Sequence, residues 1–328
     1  MKKRLYSAYK KNKTLFITCR VCIFLLLCIF LIFGINSREL SSIATDAAIL
    51  GIIALGQTFV MLVAGIDFSV QWLLCAAAIC VSNIYIKSIL ALSEIPLFLI
   101  LLIVLAGSTL IGCFNGIGVA YFGINPMIMT FGVNVLIHGA LLAYTNGISG
   151  LFMPPEIKDF LNHSWGPLPI LVYIWAGLTV AATLMLSGTT FGRRIYAVGR
   201  NPLAAYYSGI RVKRIKMFAY CISGFTAGLG GILMAASIGR SYLGMGDNTI
   251  VQSILAVTIG GTAISGGRGS YIGSVIGVIT LTALMHIFSK LSVHAGIQHL
   301  ALGVILMFTI VITSPYLKKP ASPEGEQA

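Results

Sequence analysis

From Ile43 to Ser314 the chain is written almost wholly in apolar runs of bilayer-crossing length, joined by short polar turns. A helix spanning hydrocarbon needs roughly 20 mostly apolar residues, because every backbone donor and acceptor must be met inside the segment. The runs at 15–35, 43–64, 70–86, 96–122, 126–145, 168–187, 216–238, 250–265, 271–289 and 295–315 meet or approach that length, the third and eighth being short. The expected fold class is therefore all-α: a polytopic membrane helical bundle of about ten transmembrane helices with broken or short segments. With 57% hydrophobic and 9% charged residues, too little polar material remains to clothe a soluble globule.

The formal charge of +13 would suggest nucleic acid in a soluble protein. Here the positive-inside rule accounts for it, and no nucleic-acid partner is expected. Ten spans that start inside put Lys2, Lys3, Arg4, Lys10, Lys11, Lys13, Arg268, Lys318 and Lys319 on the cytosolic face, with both termini there. Outside fall Arg38, Lys87, Lys158, Arg240 and Lys290, balanced by Glu39, Glu94, Glu156, Asp159 and Asp247. The expected divisions are a basic tail over 1–14, a transmembrane domain over 15–315 and a polar tail over 316–328. The first apolar run lacks an A-x-A-like cleavage site and is expected to be a retained anchor. The seven cysteines lie in expected spans and read as packing, including the C-x-x-C of Cys19 and Cys22, which has no second pair.

The loop over 188–216 carries Arg193, Arg194, Arg200, Arg211, Lys213, Arg214 and Lys216 with no acidic residue, so it is expected to be a cytosolic docking surface. Within it, Ala204 to Ile210 is a short helix-forming stretch between turn signals. On the other face, Ile157 to Leu161 is amphipathic and is expected to lie as a short helix along the outer interface.

Two segments, Gly65 to Gln71 and Gly260 to Gly269, interrupt apolar runs. Broken backbone in a bilayer persists only where protein or a water-filled cavity satisfies it, so both point to a pathway. Asp67 in the first break is either a gating group or, with Ser69, a cap for the next helix. The glycines at 224 and 228, and at 269, 273 and 277, are spaced for close helix contacts. Gln57, Thr58, Asn115, Asn134 and Gln252 could bond a neutral hydroxylated solute or another helix. His138 and His286 have no carboxylate three or four residues away and read as packing or pore-lining groups, not as a proton relay. No phosphate loop, HExxH, nucleophile elbow or acidic metal cluster occurs, so no enzymatic activity, metal or cofactor is expected of this chain.

The run Gly51 to Val60 followed by Gly65-Ile66-Asp67-Phe68-Ser69-Val70 resembles the signature of permease subunits of ribose/galactose-type sugar ABC importers. The resemblance continues through Phe114-Asn115-Gly116, Ile128 to Gly132, the loop from Phe191-Gly192 to Gly209-Ile210, Ala256 to Thr262 and Gly266-Gly267-Arg268-Gly269. Gln71 stands where that pattern has Gly, His138 where Arg is common, Arg200 where Gly is frequent, and Ile250 and Gln252 where acids or other polar groups are frequent. The resemblance implies a multi-pass subunit of a bacterial inner membrane, paired with a second permease chain, identical or paralogous, in the lipid bilayer. It also implies an ABC ATPase subunit that holds ATP and Mg, and an extracytoplasmic sugar-binding protein. Coupling to the ATPase is then expected at Phe191, Gly192, Arg193, Arg194, Tyr196, Ala197, Gly199, Asn201, Ala204, Ala205 and Gly209. Pathway or gating roles are expected at Gln57, Thr58, Gly65, Asp67, Ser69, Asn115, Phe131, His138, Gln252 and Thr262. The neutrality of these groups suggests a neutral pentose, hexose or furanoside. The same lining would pass a sugar-like signalling molecule or a nucleoside, and a proton-coupled carrier would instead need membrane acids paired with His138 or His286.

Overall fold

The computed structural model describes residues 36–90, 95–147, 150–165 and 168–313, so the expected tails and the span at 15–35 lie outside it. The described residues form twelve helices: α1 (Ser37–Leu62), α2 (Val70–Leu90), α3 (Leu97–Ala120), α4 (Pro126–Thr145), α5 (Pro155–Asn162), α6 (Ile170–Gly188), α7 (Thr190–Arg200), α8 (Pro202–Tyr207), α9 (Val212–Ile238), α10 (Thr249–Ile259), α11 (Tyr271–Lys290) and α12 (Ala295–Thr313). Seven of them, α1 to α4, α6, α9 and α11, are long and apolar enough to cross a membrane. The run at 250–265 yields only the 11-residue α10, because Gly260 and Gly261 open its end into the glycine-rich break. The run at 70–86, expected to be short, extends to a 21-residue helix.

The bundle has an inside and an outside. Of the apolar stretch that makes α1 a span, 83% is interior, against 22% for α3, α4 and α6, whose remaining faces are apolar and open. Helix α9 packs on α1, α2 and α3, and its small residues set the spacing. A Cβ at Gly224 would collide with the Ser108 carbonyl, and one at Gly228 would meet the Ser108 hydroxyl at 2.5 Å. In the same way Gly273 and Gly277 of α11 lie on the carbonyls of Gly260 and Ala256. Both glycine seams therefore act as close contacts, where van der Waals packing of small residues drives association.

Helix starts follow local chemistry. Asn125, Thr189, Asn201 and Ser270 each accept a backbone N–H of the first turn of α4, α7, α8 and α11, respectively. Pro126 and Pro202 occupy first-turn positions where no N–H is needed. At the end opposite α7 and α8, β1 (Leu151–Phe152) pairs antiparallel with β4 (Arg240–Ser241), and β2 (Ser164–Trp165) with β3 (Leu168–Pro169). The expected amphipathic helix there is α5. Its Ile157 and Leu161 pack into the bundle core instead of facing lipid headgroups, while Phe160 stays exposed.

Candidate functional site: a basic platform, two joined breaks and an open cavity

The two breaks, remote in sequence, meet. The Gly267 N–H donates to the Leu62 carbonyl at 2.9 Å, and Gly266 lies against Ala64. Ala64 holds a left-handed φ of 61°, and a Cβ on Gly65 would strike the Tyr220 hydroxyl. Helix α7 closes over this junction. Gly199 presses its α-carbon on the Leu62 carbonyl, the Arg200 Nε–H donates to the Gly267 carbonyl at 3.2 Å, and the Tyr196 hydroxyl donates to the Gly269 carbonyl at 3.0 Å. Burial pushes the Tyr196 phenol up despite nearby Arg200, so it remains a donor. Arg193, Tyr196, Ala197, Arg200 and Gly269 surround an open-sided cavity of about 380 Å³.

The loop residues sort by direction. Ile195, Val198 and Ala205 are buried in the bundle, and Phe191 stands edge-on to Phe218 with ring centroids 6.3 Å apart. Gly192 sits against the Leu186 carbonyl, Asn201 caps α8, and Gly209 turns the chain with φ 78°. Arg193, Arg194, Ala204, Leu203, Tyr206 and Tyr207 point outward. Ala205, expected at the docking face, thus belongs to internal packing. The exposed apolar groups are Leu203, Tyr206 and Tyr207, a distinction of helix face that is invisible in a six-residue helix read as sequence.

In the first break, Asp67 is fully interior. Its Oδ1 accepts the Ser69 N–H at 2.9 Å and the Ser69 hydroxyl at 2.6 Å, and its Oδ2 accepts the Ser223 hydroxyl at 2.7 Å. The Asn115 amide donates to Ser69 Oγ at 2.9 Å. Thr130 and Asn134 of α4 accept the Phe68 and Trp72 N–H groups. Asp67 therefore caps α2 and fastens it to α9 at once. Among the other expected pathway residues, Thr58 bonds Ala54 and Ser274 inside the bundle, and Gln57, Asn115 and Thr262 are wholly buried. His138 stacks on Trp72 with ring centroids 3.8 Å apart, and Gln252 lines a smaller cavity with Asp46 and His286.

Only Phe131 of that expected set reaches an open cavity of about 550 Å³, which is also lined by Phe68, Gln71, Asp247, Asn248, Ile250, Val251 and His299. The Gln71 amide donates to Asp247 Oδ1 at 2.9 Å. His299 faces the Ala295 carbonyl oxygen through Nδ1 at 2.6 Å and Asn248 Oδ1 through Nε2 at 2.9 Å. Asp247, expected from sequence on the outer side, stands exposed at the rim of this cavity. The segment after β4 folds back so that Gly246 lies on the Gln71 carbonyl and Leu74. The polar turn Gly244 to Asn248 ahead of a short helix was the available signal. A further correction concerns His286. Asp46, far away in sequence, pairs with it at 2.8 Å, joining α1 to α11, and Lys290 pairs with Glu39 at 3.1 Å beside it. No group of three or more His, Cys, Asp or Glu able to hold a metal occurs among the described residues.

Comparison with known proteins supplies the context for this architecture. Residues 39–314 match the family described as branched-chain amino acid transport system / permease component. The ribose import permease protein RbsC of Haemophilus influenzae is 30% identical over 275 residues, covering 82% of this chain and 83% of its own length. The galactose/methyl galactoside import permease protein MglC of the same organism is 30% identical, covering 95% of this chain and 99% of its own. RbsC of Bacillus subtilis is also 30% identical, over 81% of this chain and 82% of its own length. No solved structure matches.

Proposed function

Because this chain belongs to the branched-chain amino acid transport system / permease component family, we propose that it is the membrane subunit of an ATP-driven importer of a neutral monosaccharide, a pentose, hexose or furanoside. It is a transport component, and ATP with Mg is held by a separate ATPase subunit. The observation that carries this reading is the junction where α7 clamps both backbone breaks, because it gives a cytosolic partner a mechanical grip on the interior. Leu203, Ala204, Tyr206 and Tyr207 form the docking knob, and Arg193, Arg194 and the other basic residues of the loop orient an acidic partner surface. When the ATPase dimer closes, displacement of α7 passes through Tyr196, Gly199 and Arg200 to the Leu62–Gly267 contact. The energy comes from differential nucleotide binding in the two states. A binding protein delivers the sugar on the opposite side, where the termini are absent and α5 and the short strands lie, and a second permease chain completes the pathway. The membrane is the bacterial inner membrane, with both termini cytosolic. The sugar assignment follows the ribose and galactose relatives, against the amino acid of the family description.

The Asp46–His286 pair is the feature a proton-coupled carrier would require, yet it is one half-exposed pair beside a second ion pair. Reconstitution with the ATPase and binding protein should give ATP-dependent uptake of ribose or galactose that a protonophore leaves intact. Uptake driven by a proton gradient without ATP, or preferential uptake of leucine, would overturn the assignment.

A further inference from the structure

We propose that the cavity formed by Gln71, Asp247, Asn248 and His299 with Phe68 and Phe131 is a binding station for a vicinal diol of a neutral sugar, and that Asp247 makes it reject anionic sugars. The inference rests on the import reading above and adds a site and a selection rule to it. The volume of about 550 Å³ falls within the range of about 300–1,000 Å³ usual for small-molecule sites.

The chemistry is that of sugar recognition. An ionised carboxylate offers about four lone-pair positions and can accept two neighbouring hydroxyls side by side. Asp247 Oδ1 spends one of these on the Gln71 amide, which fixes the plane of the group and leaves the other positions to a ligand. Its backbone is held as well. The Asp247 N–H donates to the Gly244 carbonyl at 2.9 Å, and Gly246 lies so close to the Gln71 backbone carbonyl that a Cβ there would strike it. The Gln71 carbonyl oxygen and the Asn248 amide add an acceptor and a second polar group at the rim. Phe68 and Phe131 supply apolar surface for the C–H face of a sugar ring.

The charge balance decides the class of ligand. No Lys or Arg lines the cavity, and Asp247 makes no ion pair with a described residue. The ring nitrogens of His299 face two protein oxygens, the Ala295 carbonyl and Asn248 Oδ1, and neither is turned to a ligand. A sugar phosphate or uronate would therefore meet the Asp247 carboxylate with no Lys or Arg to offset it, whereas a neutral diol gains hydrogen bonds to an ionised acceptor. Gln71 is essential to the arrangement. A glycine there, as in the related pattern, would leave Asp247 without its amide donor.

The test places a cysteine at Ile250, which lines the cavity, in the full chain assembled with its ATPase, and subtracts the background of the same chain without the substitution. Labelling by cationic and anionic methanethiosulfonates, each normalised to a free thiol, should favour the cation by at least about fivefold. Asp247→Asn, which keeps an acceptor for Gln71, should remove that preference. Ribose or galactose should slow labelling and galacturonate should not; Asp247→Asn should weaken the first protection and admit the second. Equal labelling by both reagents, or protection by galacturonate equal to that by galactose, overturns the station. A parallel uptake assay separates the two readings. Wild-type sugar uptake with an Asp247→Ala variant of equal rate sinks the station alone, whereas absence of uptake of either sugar by the wild-type complex sinks the import reading beneath it.

Discussion

At Asp67 one carboxylate accepts three hydrogen bonds from two segments, so its value is set by the donors it would strand. Asp67→Ala leaves the Ser69 N–H and the Ser69 and Ser223 hydroxyls without that acceptor, and should cost about 3 kcal/mol, read as a lower unfolding temperature in detergent. Asp67→Asn keeps an acceptor for Ser69, while Ser223 can turn to accept from the new amide, so it should cost about 1 kcal/mol or less and retain most uptake. Equal loss in both variants would show that the charge itself is required. The capping role of Asp67 was visible in the sequence as Asp-x-Ser before an apolar run. Its bond to Ser223, 156 residues away, was not, because no local pattern encodes which helix faces a break. The same limit explains Gln57, Thr58 and Asn115. Polar residues in apolar spans announce hydrogen bonding, but whether the partner is a helix or a solute depends on helix rotation, and here they turn inward.

Among the elements, α7 and α8 divide one basic loop into an internal clamp and an external knob. Tyr206→Ala together with Tyr207→Ala removes exposed rings, so it should weaken co-purification of the ATPase at least about tenfold while leaving thermal stability within about 0.5 kcal/mol of wild type. Ala205→Glu should do the reverse, lowering the stability of the permease itself by forcing a carboxylate into packed surroundings. If the paired alanine variant still recruits the ATPase normally, docking occurs elsewhere. Gly199→Ala forces α7 away from the Leu62 carbonyl and should leave ATP hydrolysis running while uptake falls, measured as sugar moved per ATP consumed. The composition and turn signals of this loop marked it as a candidate docking surface. They could not show that its glycine is a contact surface, since the surface it touches belongs to the two breaks.

For the whole molecule, the positive-inside pattern places the platform and the α5 face on opposite sides of the membrane. Single cysteines at Tyr207 and Phe160, both exposed, should react with an impermeant thiol reagent from opposite sides, Phe160→Cys in intact spheroplasts and Tyr207→Cys only in inverted vesicles. Reaction of both from one side would invert or dismantle the topology. The polytopic helical class was readable because apolar length is a physical requirement of the bilayer, but about ten spans were expected and seven of the described helices are long and apolar enough to cross. The fold-back of Gly244 to Asn248, which packs Gly246 on Gln71 and leaves Asp247 at the cavity rim, escaped, because a polar turn next to a span does not say which helix it lies against.

The hydrogen bond from Gly267 to Leu62 also fixes an order of events in biosynthesis. Leu62 leaves the ribosome early and Gly267 late, so the end of α1 has its acceptor waiting while most of the chain is still being made. Until that late segment arrives, the first break has neither its lock nor the floor on which α7 rests. A nascent chain stopped before Gly267 would therefore carry every residue of the basic loop without the support that holds it in place. The supported platform therefore takes its final form only once the segment at Gly267 has been made.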